Sequence, residues 1–338
     1  PDAHMTRKHR CVETRGHWLP KASALSSREN ACCVIWVWSS KVDVARVAPR
    51  RDARTTRNPG FTSRNSLGQT CPAPGLEFIK YGGNTACVHI NLDDGTDIIL
   101  DAGTGIKNLG QKLIKQTNDI HLLLTHNHWD HIQGFPFFAP IYQPQRNIII
   151  TPGQVTFDAD YAILEQMSGS YFPVDYKTLP SNIQVVPQPK EVKNWKIGEA
   201  KISRLPMNHP GGGSSFCIEA EGKKVTYITD NELYPPYKRN TEFLEWVEFS
   251  RDADLIIHDS QYLISDMPAK SGWGHSVAEE AVKLAMGSRA KQMALYSHDH
   301  IRTDDDIDAI VSHCQEIVEV GGADLALFAA AEGLTITL

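Results

Sequence analysis

From Leu76 onward, short apolar runs recur between polar breaks rich in Gly, Asn, Asp and Pro. Brief apolar and β-branched runs predict strands over 76–81, 86–92, 97–100, 120–124, 147–151, 254–258, 293–297 and 324–328, with Asp94-Gly95 as a hairpin turn. Longer stretches with apolar residues three and four apart predict helices over 105–116, 155–167, 241–250, 276–287 and 304–319. The segment 181–229 reads as several antiparallel strands. Strands followed by helices, twice over, predict an α/β protein of αββα architecture: two mixed β-sheets packed together, with helices on the outer faces.

Residues 1–70 lack this patterning. They are rich in Arg, Ser and Trp, and their one apolar run, 32–38, is too short for a membrane helix or a signal core. Residues 1–5 read as a tag remnant ahead of a start methionine. The sequence Cys71-Pro72-Ala73-Pro74-Gly75 is the expected boundary, giving a basic, non-catalytic extension (1–70) and a catalytic domain (71–338). Charge sharpens this division. Residues 1–64 carry 13 Lys or Arg against 5 Asp or Glu, leaving 21 against 35 for the remainder. An acidic catalytic region argues against a surface that holds long nucleic acid by counterion release. A small anionic substrate stays compatible, because bound metals supply local positive charge. The seven cysteines have no zinc-knuckle or redox spacing, so reduced thiols and a cytoplasmic location are expected. No apolar run is long enough to span a bilayer.

The chemistry concentrates in Thr125-His126-Asn127-His128-Trp129-Asp130-His131, directly after the strand predicted at 120–124. Imidazole and carboxylate are ligands for Zn²⁺ and similar divalent ions. A helix aligns only i, i+3 and i+4, whereas these side chains sit at i, i+2, i+4 and i+5. The spacing suits a loop leaving a strand, turning ligands toward two neighbouring metals. Further ligand-type residues stand at other predicted strand ends: His209 before Pro210-Gly211-Gly212-Gly213, Asp230 after 225–229, and His298 after 293–297. Asp101 ends the strand at 97–100 and is expected to buttress the His loop by hydrogen bonds. Gly211 and Gly212 offer backbone that a substrate can approach closely. His89, His121 and His313 have no partner in the sequence and read as structural or exposed, His258 as a core residue, and His300 as peripheral to the site.

This ordered set resembles the metallo-β-lactamase fold superfamily over about residues 76–338. Two more pieces, Gly274-His275-Ser276 and His258-Asp259-Ser260, resemble its ribonuclease Z-like and cyclic phosphodiesterase branch. The resemblance implies two divalent ions, zinc first and manganese as the alternative. His126, His128 and His209 would hold one ion, and Asp130, His131 and His298 the other. Asp230 would bridge them with one carboxylate oxygen to each. A hydroxide shared between the metals would be the nucleophile, Asp130 a base, and Asp259–His275 a proton-donor dyad. The expected function is hydrolysis of a small or cyclic phosphodiester. The alternatives on the same fold are an acyl hydrolase of lactones, thioesters or β-lactams, and an RNA-processing nuclease. Asp230 speaks against a true β-lactamase, and the interval from His209 to Asp230 has no room for the long tRNA-gripping arm of the endonucleases. The partners expected are a small phosphodiester substrate and a second copy of the chain in a homodimer, without membrane or long nucleic acid.

Overall fold

The computed structural model describes residues 75–154 and 162–338, together with the backbone of 34–38 and 41–42. In chain order the strands are β1 (Val34–Trp38), β2 (Lys41–Val42), β3 (Cys87–Asn91), β4 (Asp97–Leu100), β5 (Ile120–Leu124), β6 (Asn147–Pro152), β7 (Asn182–Val185), β8 (Asn194–Ile197), β9 (Ala200–Pro206), β10 (Ser214–Ala220), β11 (Lys223–Ile228), β12 (Leu255–Asp259), β13 (Gln292–Tyr296), β14 (His298–Asp299), β15 (Ala326–Ala329) and β16 (Leu334–Thr337). The helices are α1 (Ile106–Leu113), α2 (Trp129–Ile132), α3 (Ala162–Glu165), α4 (Phe243–Phe249), α5 (Ala278–Gly287) and α6 (Asp304–Val320).

Two mixed sheets form the centre, ordered β16-β1-β3-β4-β5-β6-β7 and β15-β13-β12-β11-β10-β9-β8. Their facing sides share one core. Val88, Ile90, Ile98, Leu100 and Leu123 meet Ile202, Phe216, Ile218, Tyr227, Ile257 and Tyr296. Helix α1 covers the outer side of the first sheet through Leu109 and Leu113, and α5 and α6 cover the second through Val282, Leu284 and Cys314. The apolar strand β4 is buried at every position because both of its faces are covered. Strand β9 instead alternates, burying Ala200, Ile202 and Arg204 and exposing Lys201. Within each sheet the runs β4–β5–β6 and β11–β12–β13 are parallel. Their C-terminal ends therefore lie at one edge, where loops converge to build a site.

Three expectations differ from the structure, and a fourth lies partly outside the described residues. The run at 76–81 is not a strand; Leu76–Phe78 is a 3-10 turn. The backbone N–H of Lys80 donates to Asp304 Oδ2 (2.8 Å) and Tyr81 Oη to Asp308, so this segment is held by α6 rather than by a ladder. Strand β7, taken with the antiparallel group, pairs parallel to β6 in the first sheet. Helix 155–167 is described only at Ala162–Glu165, its first part lying outside the described residues. The apolar run in the N-terminal segment forms β1, antiparallel between β3 and β16, and β2 runs parallel to β14.

Removing residues 1–70 would strip β1 from between two strands and leave both edges unpaired. The truncated protein is expected to melt at lower temperature yet keep most of its turnover per folded molecule, since the residues gathered below all follow Leu100. Thermal melts and rate measurements on the soluble, metal-loaded fraction check this. An inactive soluble fraction would place part of the site in the early segment.

Candidate metal centre

The site is built around Asp101, which is fully buried and takes a left-handed backbone (φ 62°) at the end of β4. Its carboxylate accepts from the backbone N–H of Thr125 (2.7 Å), from Thr125 Oγ1 (2.9 Å), from Tyr227 Oη (3.0 Å) and from His131 Nδ1 (2.9 Å). These bonds fix where the chain leaves β5. They also assign the imidazoles. His131 spends Nδ1 on Asp101 and keeps Nε2 for the cluster. Thr125 Oγ1 gives its proton to Asp101 and so accepts from His126 Nδ1 at 3.0 Å, leaving His126 Nε2 for the cluster. The short helix α2 then starts after His128, its N-cap, and swings Asp130 and His131 inward.

Two groups of ligand atoms result, each with every member within 4.8 Å of the others: His126, His128, His209 and Asp230, and Asp130, His131 and Asp230. In the first, His209 Nε2 lies 3.0 Å from His128 Nδ1, and Asp230 Oδ2 is 3.7 Å from His126 Nε2 and 3.9 Å from His209 Nε2. In the second, His131 Nε2 is 3.4 Å from Asp130 Oδ2 and 3.3 Å from Asp230 Oδ2. These separations bracket the ~3.3 Å edge of a tetrahedron drawn by ligands about 2.0–2.1 Å from a zinc ion. Two buried atoms, His126 Nε2 and Asp130 Oδ1, have no hydrogen-bond partner. Unpaired buried polar atoms are costly, so they point to a missing partner. The donor set fits divalent cations.

The electrostatics agree. Burial and neighbouring imidazoles hold His126 and His128 below the usual histidine range and His209 down to about 3, so all three are neutral and free to ligate. Burial opposes charge on His131 too, but Asp230, Asp130 and Asp101 together push it well above its ordinary value.

Asp230 follows β11 in a left-handed conformation (φ 46°). The same oxygen, Oδ2, faces both ligand groups, whereas Oδ1 accepts from Thr229 Oγ1 at 2.8 Å. His298, expected in the second group, stands in neither. After β13 the chain turns at Ser297 (φ 55°), and His298 runs into β14 with Nε2 3.2 Å from the carbonyl of Ala330.

Asp259 and His275 do meet. His275 Nδ1 lies 2.7 Å from Asp259 Oδ2, and Asp259 also accepts from the N–H groups of Asn231 and Gln261 (both 3.1 Å). Asp230, Asp259 and His275 form a third cluster continuous with the other two. Burial disfavours charge on His275, but Asp259 and Asp230 outweigh it and raise the imidazole to about 9. Helix α5 begins at Ala278 without a side-chain cap, so neither His275 nor Ser276 caps it. The Ser276 hydroxyl instead donates to the carbonyl of Asn231.

Other positioning residues were not singled out from the sequence. His209 Nδ1 donates to the carbonyl of Gly274 (2.9 Å), and a Cβ on Gly274 would sit 2.3 Å from that nitrogen. Buried Glu232 accepts from the N–H groups of Gly272 and Gly274 (2.9 Å each), clamping the loop that carries His275. The only available signal was its place in Asp230-Asn231-Glu232. Gly211 and Gly212 have positive φ (89° and 76°), and Gly211 lies beside His128. His258 is buried with Nδ1 donating to its neighbour's carbonyl, as a core histidine.

The family model of the beta-lactamase superfamily domain matches residues 96–301, spanning every ligand named above. The chain belongs to this superfamily. Solved structures share the fold. The metallo-beta-lactamase fold protein YhfI from Bacillus subtilis superposes with a TM-score of 0.58 at 16% identity, over 91% of this chain and 100% of that one. A diphosphatase from the PhnP family superposes with a TM-score of 0.54 at 15% identity, over 90% and 97%. In sequence, the ribonuclease Z of Acaryochloris marina is 24% identical over 260 residues, covering 63% of this chain and 79% of that protein. The fold is therefore the metallo-β-lactamase sandwich, and the superfamily domain presents a His/Asp cluster suited to metal-dependent hydrolysis. Among the described residues no helix is long and apolar enough to cross a membrane.

Proposed function

We propose that this chain is a dinuclear metal-dependent phosphodiesterase acting on small or cyclic phosphodiesters. The observation that carries the reading is the buried Asp259–His275 pair beside the ligand clusters, at 2.7 Å. Displacing an alkoxide from phosphorus requires a proton at the departing oxygen. An imidazole held protonated by a carboxylate supplies it, and with Nδ1 committed to Asp259 the atom that gives it up is Nε2. Asp130, beside the ligand groups, would accept the proton of the attacking water. His126, His128, His209 and Asp230 would hold one divalent ion. Asp130, His131 and Asp230 would hold the second, with His298 joining if its ring turns from Ala330. Zinc is the first expectation and manganese the alternative. Such ions supply a nucleophile at neutral pH and offset charge on the phosphoryl oxygens.

The match to a protein named ribonuclease Z supports phosphodiester chemistry. Short connections support a small substrate rather than tRNA: only 207–213 joins β9 to β10, and only 221–222 joins β10 to β11. A panel assay on metal-loaded protein tests the proposal, comparing bis-p-nitrophenyl phosphate, cyclic nucleotides, a pre-tRNA, a lactone and a β-lactam. Turnover is expected on the first two. Efficient turnover of the lactone or β-lactam with none on phosphodiesters would favour the acyl hydrolase, and selective cleavage of the pre-tRNA would favour the nuclease.

A further inference from the structure

Glu232 is buried two positions after Asp230, yet it belongs to none of the ligand groups. Its Oε2 accepts from the N–H groups of Gly274 (2.9 Å) and Gly272 (3.1 Å), and its Oε1 from that of Gly272 (2.9 Å). Among the described residues no Lys, Arg or His forms an ion pair with it. A buried carboxylate is costly unless it is well hydrogen-bonded. Here that cost is offset by two backbone N–H groups of the loop that carries His275.

Three constraints meet at Gly274. Its N–H donates to Glu232, its carbonyl accepts from His209 Nδ1 at 2.9 Å, and the next residue is His275. Its φ is 88°, and a Cβ would lie 2.3 Å from His209 Nδ1 and 2.4 Å from Pro210 Cδ. The loop therefore packs directly on a metal-ligand candidate, with no space for a side chain between them. The segment 230–232 grips the same pieces through its backbone. The N–H of Asn231 donates to Asp259 Oδ2 (3.1 Å), and its carbonyl accepts from Ser276 Oγ. The N–H of Glu232 donates to the carbonyl of Asn208 (3.0 Å), the residue before His209.

We propose that Glu232 is a positioning residue: acting through Gly274, it fixes His209 and His275 relative to each other, so that one clamp aims a metal ligand and places the proton donor. The part concerning His275 rests on the phosphodiesterase reading. The part concerning His209 rests on the ligand group alone.

Glu232→Ala removes the acceptor of two buried N–H groups, whereas Glu232→Gln keeps one oxygen for Gly274. Zinc affinity by chelator competition is the first measurement. The affinity of the ion held by His209 should fall by roughly tenfold or more in the alanine variant, the typical cost of losing a group that orients a ligand. Rates at saturating zinc are the second. On a cyclic nucleotide kcat should fall by about 10–100-fold with KM little changed, and on bis-p-nitrophenyl phosphate by clearly less. Glu232→Gln should recover most of both losses. Added to His275→Ala, Glu232→Ala should leave the ratio of the two kcat values where His275→Ala alone sets it, because the group it places is already gone. Equal losses on the two substrates, or a further change of that ratio without His275, would overturn the placement of the proton donor. Unchanged zinc affinity in folded Glu232→Ala would overturn the action on His209. If the unaltered protein turns over no phosphodiester, the phosphodiesterase reading fails, and the zinc competition still decides whether Glu232 acts on His209. Glu232→Asp, which withdraws the carboxylate by one methylene, makes the same comparisons if the alanine variant does not fold.

Discussion

Replacing Asp230 by Asn is expected to disable both halves of the metal centre at once. Its Oδ2 stands 3.3 Å from His131 Nε2, 3.7 Å from His126 Nε2 and 3.9 Å from His209 Nε2, so one atom belongs to both ligand groups. Asn keeps the shape and loses the charge. The change is small in volume, so the fold should persist while metal affinity drops. Metals contribute several kcal/mol of charge stabilisation in reactions of this kind, so kcat/KM on a phosphodiester should fall by on the order of 10³-fold or more. Metal content and circular dichroism measured together check the prediction. A folded Asp230→Asn protein that keeps both ions and most activity would show that Asp230 is not the shared ligand.

His275 should behave differently. If it gives a proton to the leaving group, His275→Ala lowers kcat by about 10²–10⁴-fold, typical of general acid catalysis. Metal content should not change, since His275 is not needed to complete either ligand group. The loss should be large for a cyclic nucleotide, whose alkoxide needs a proton. It should shrink for a p-nitrophenyl ester, whose leaving group departs readily without one. Asp259→Asn should show a milder form of the same pattern, because it misorients the imidazole without removing it. Parallel rate measurements on the two substrates make the comparison. Equal losses on both, or a loss of metal, would assign His275 a structural or ligating role.

How far the sequence could be read depended on how local the cause was. Strands β4 and β5 were legible because continuous apolar runs end at turn residues, and burial on both faces then follows. The His loop was legible because its ligand-type side chains lie within a few residues of a predicted strand end. Asp259 and His275 were legible only through resemblance, since 16 positions separate them and nothing local ties one to the other. What failed was decided at long range. The segment 76–81 is apolar enough for a strand, but Asp304 and Asp308 hold it as a turn. Strand β7 joined the first sheet because β6 offered a parallel edge. The direction of the His298 ring depends on Ala330, whose role no spacing rule displays. Glu232 was missed for the same reason: its partners, Gly272 and Gly274, lie some 40 positions downstream.

The central claim is that two metal ions share Asp230. A crystal structure of the zinc-loaded protein, with anomalous scattering recorded at the zinc edge and stoichiometry from elemental analysis of the same sample, tests it most directly. The account predicts two ions per chain, one among His126, His128 and His209 and the other beside Asp130 and His131, with Asp230 Oδ2 between them and His298 turned onto the second. A single ion, with Asp230 and His298 outside its coordination sphere, would contradict it.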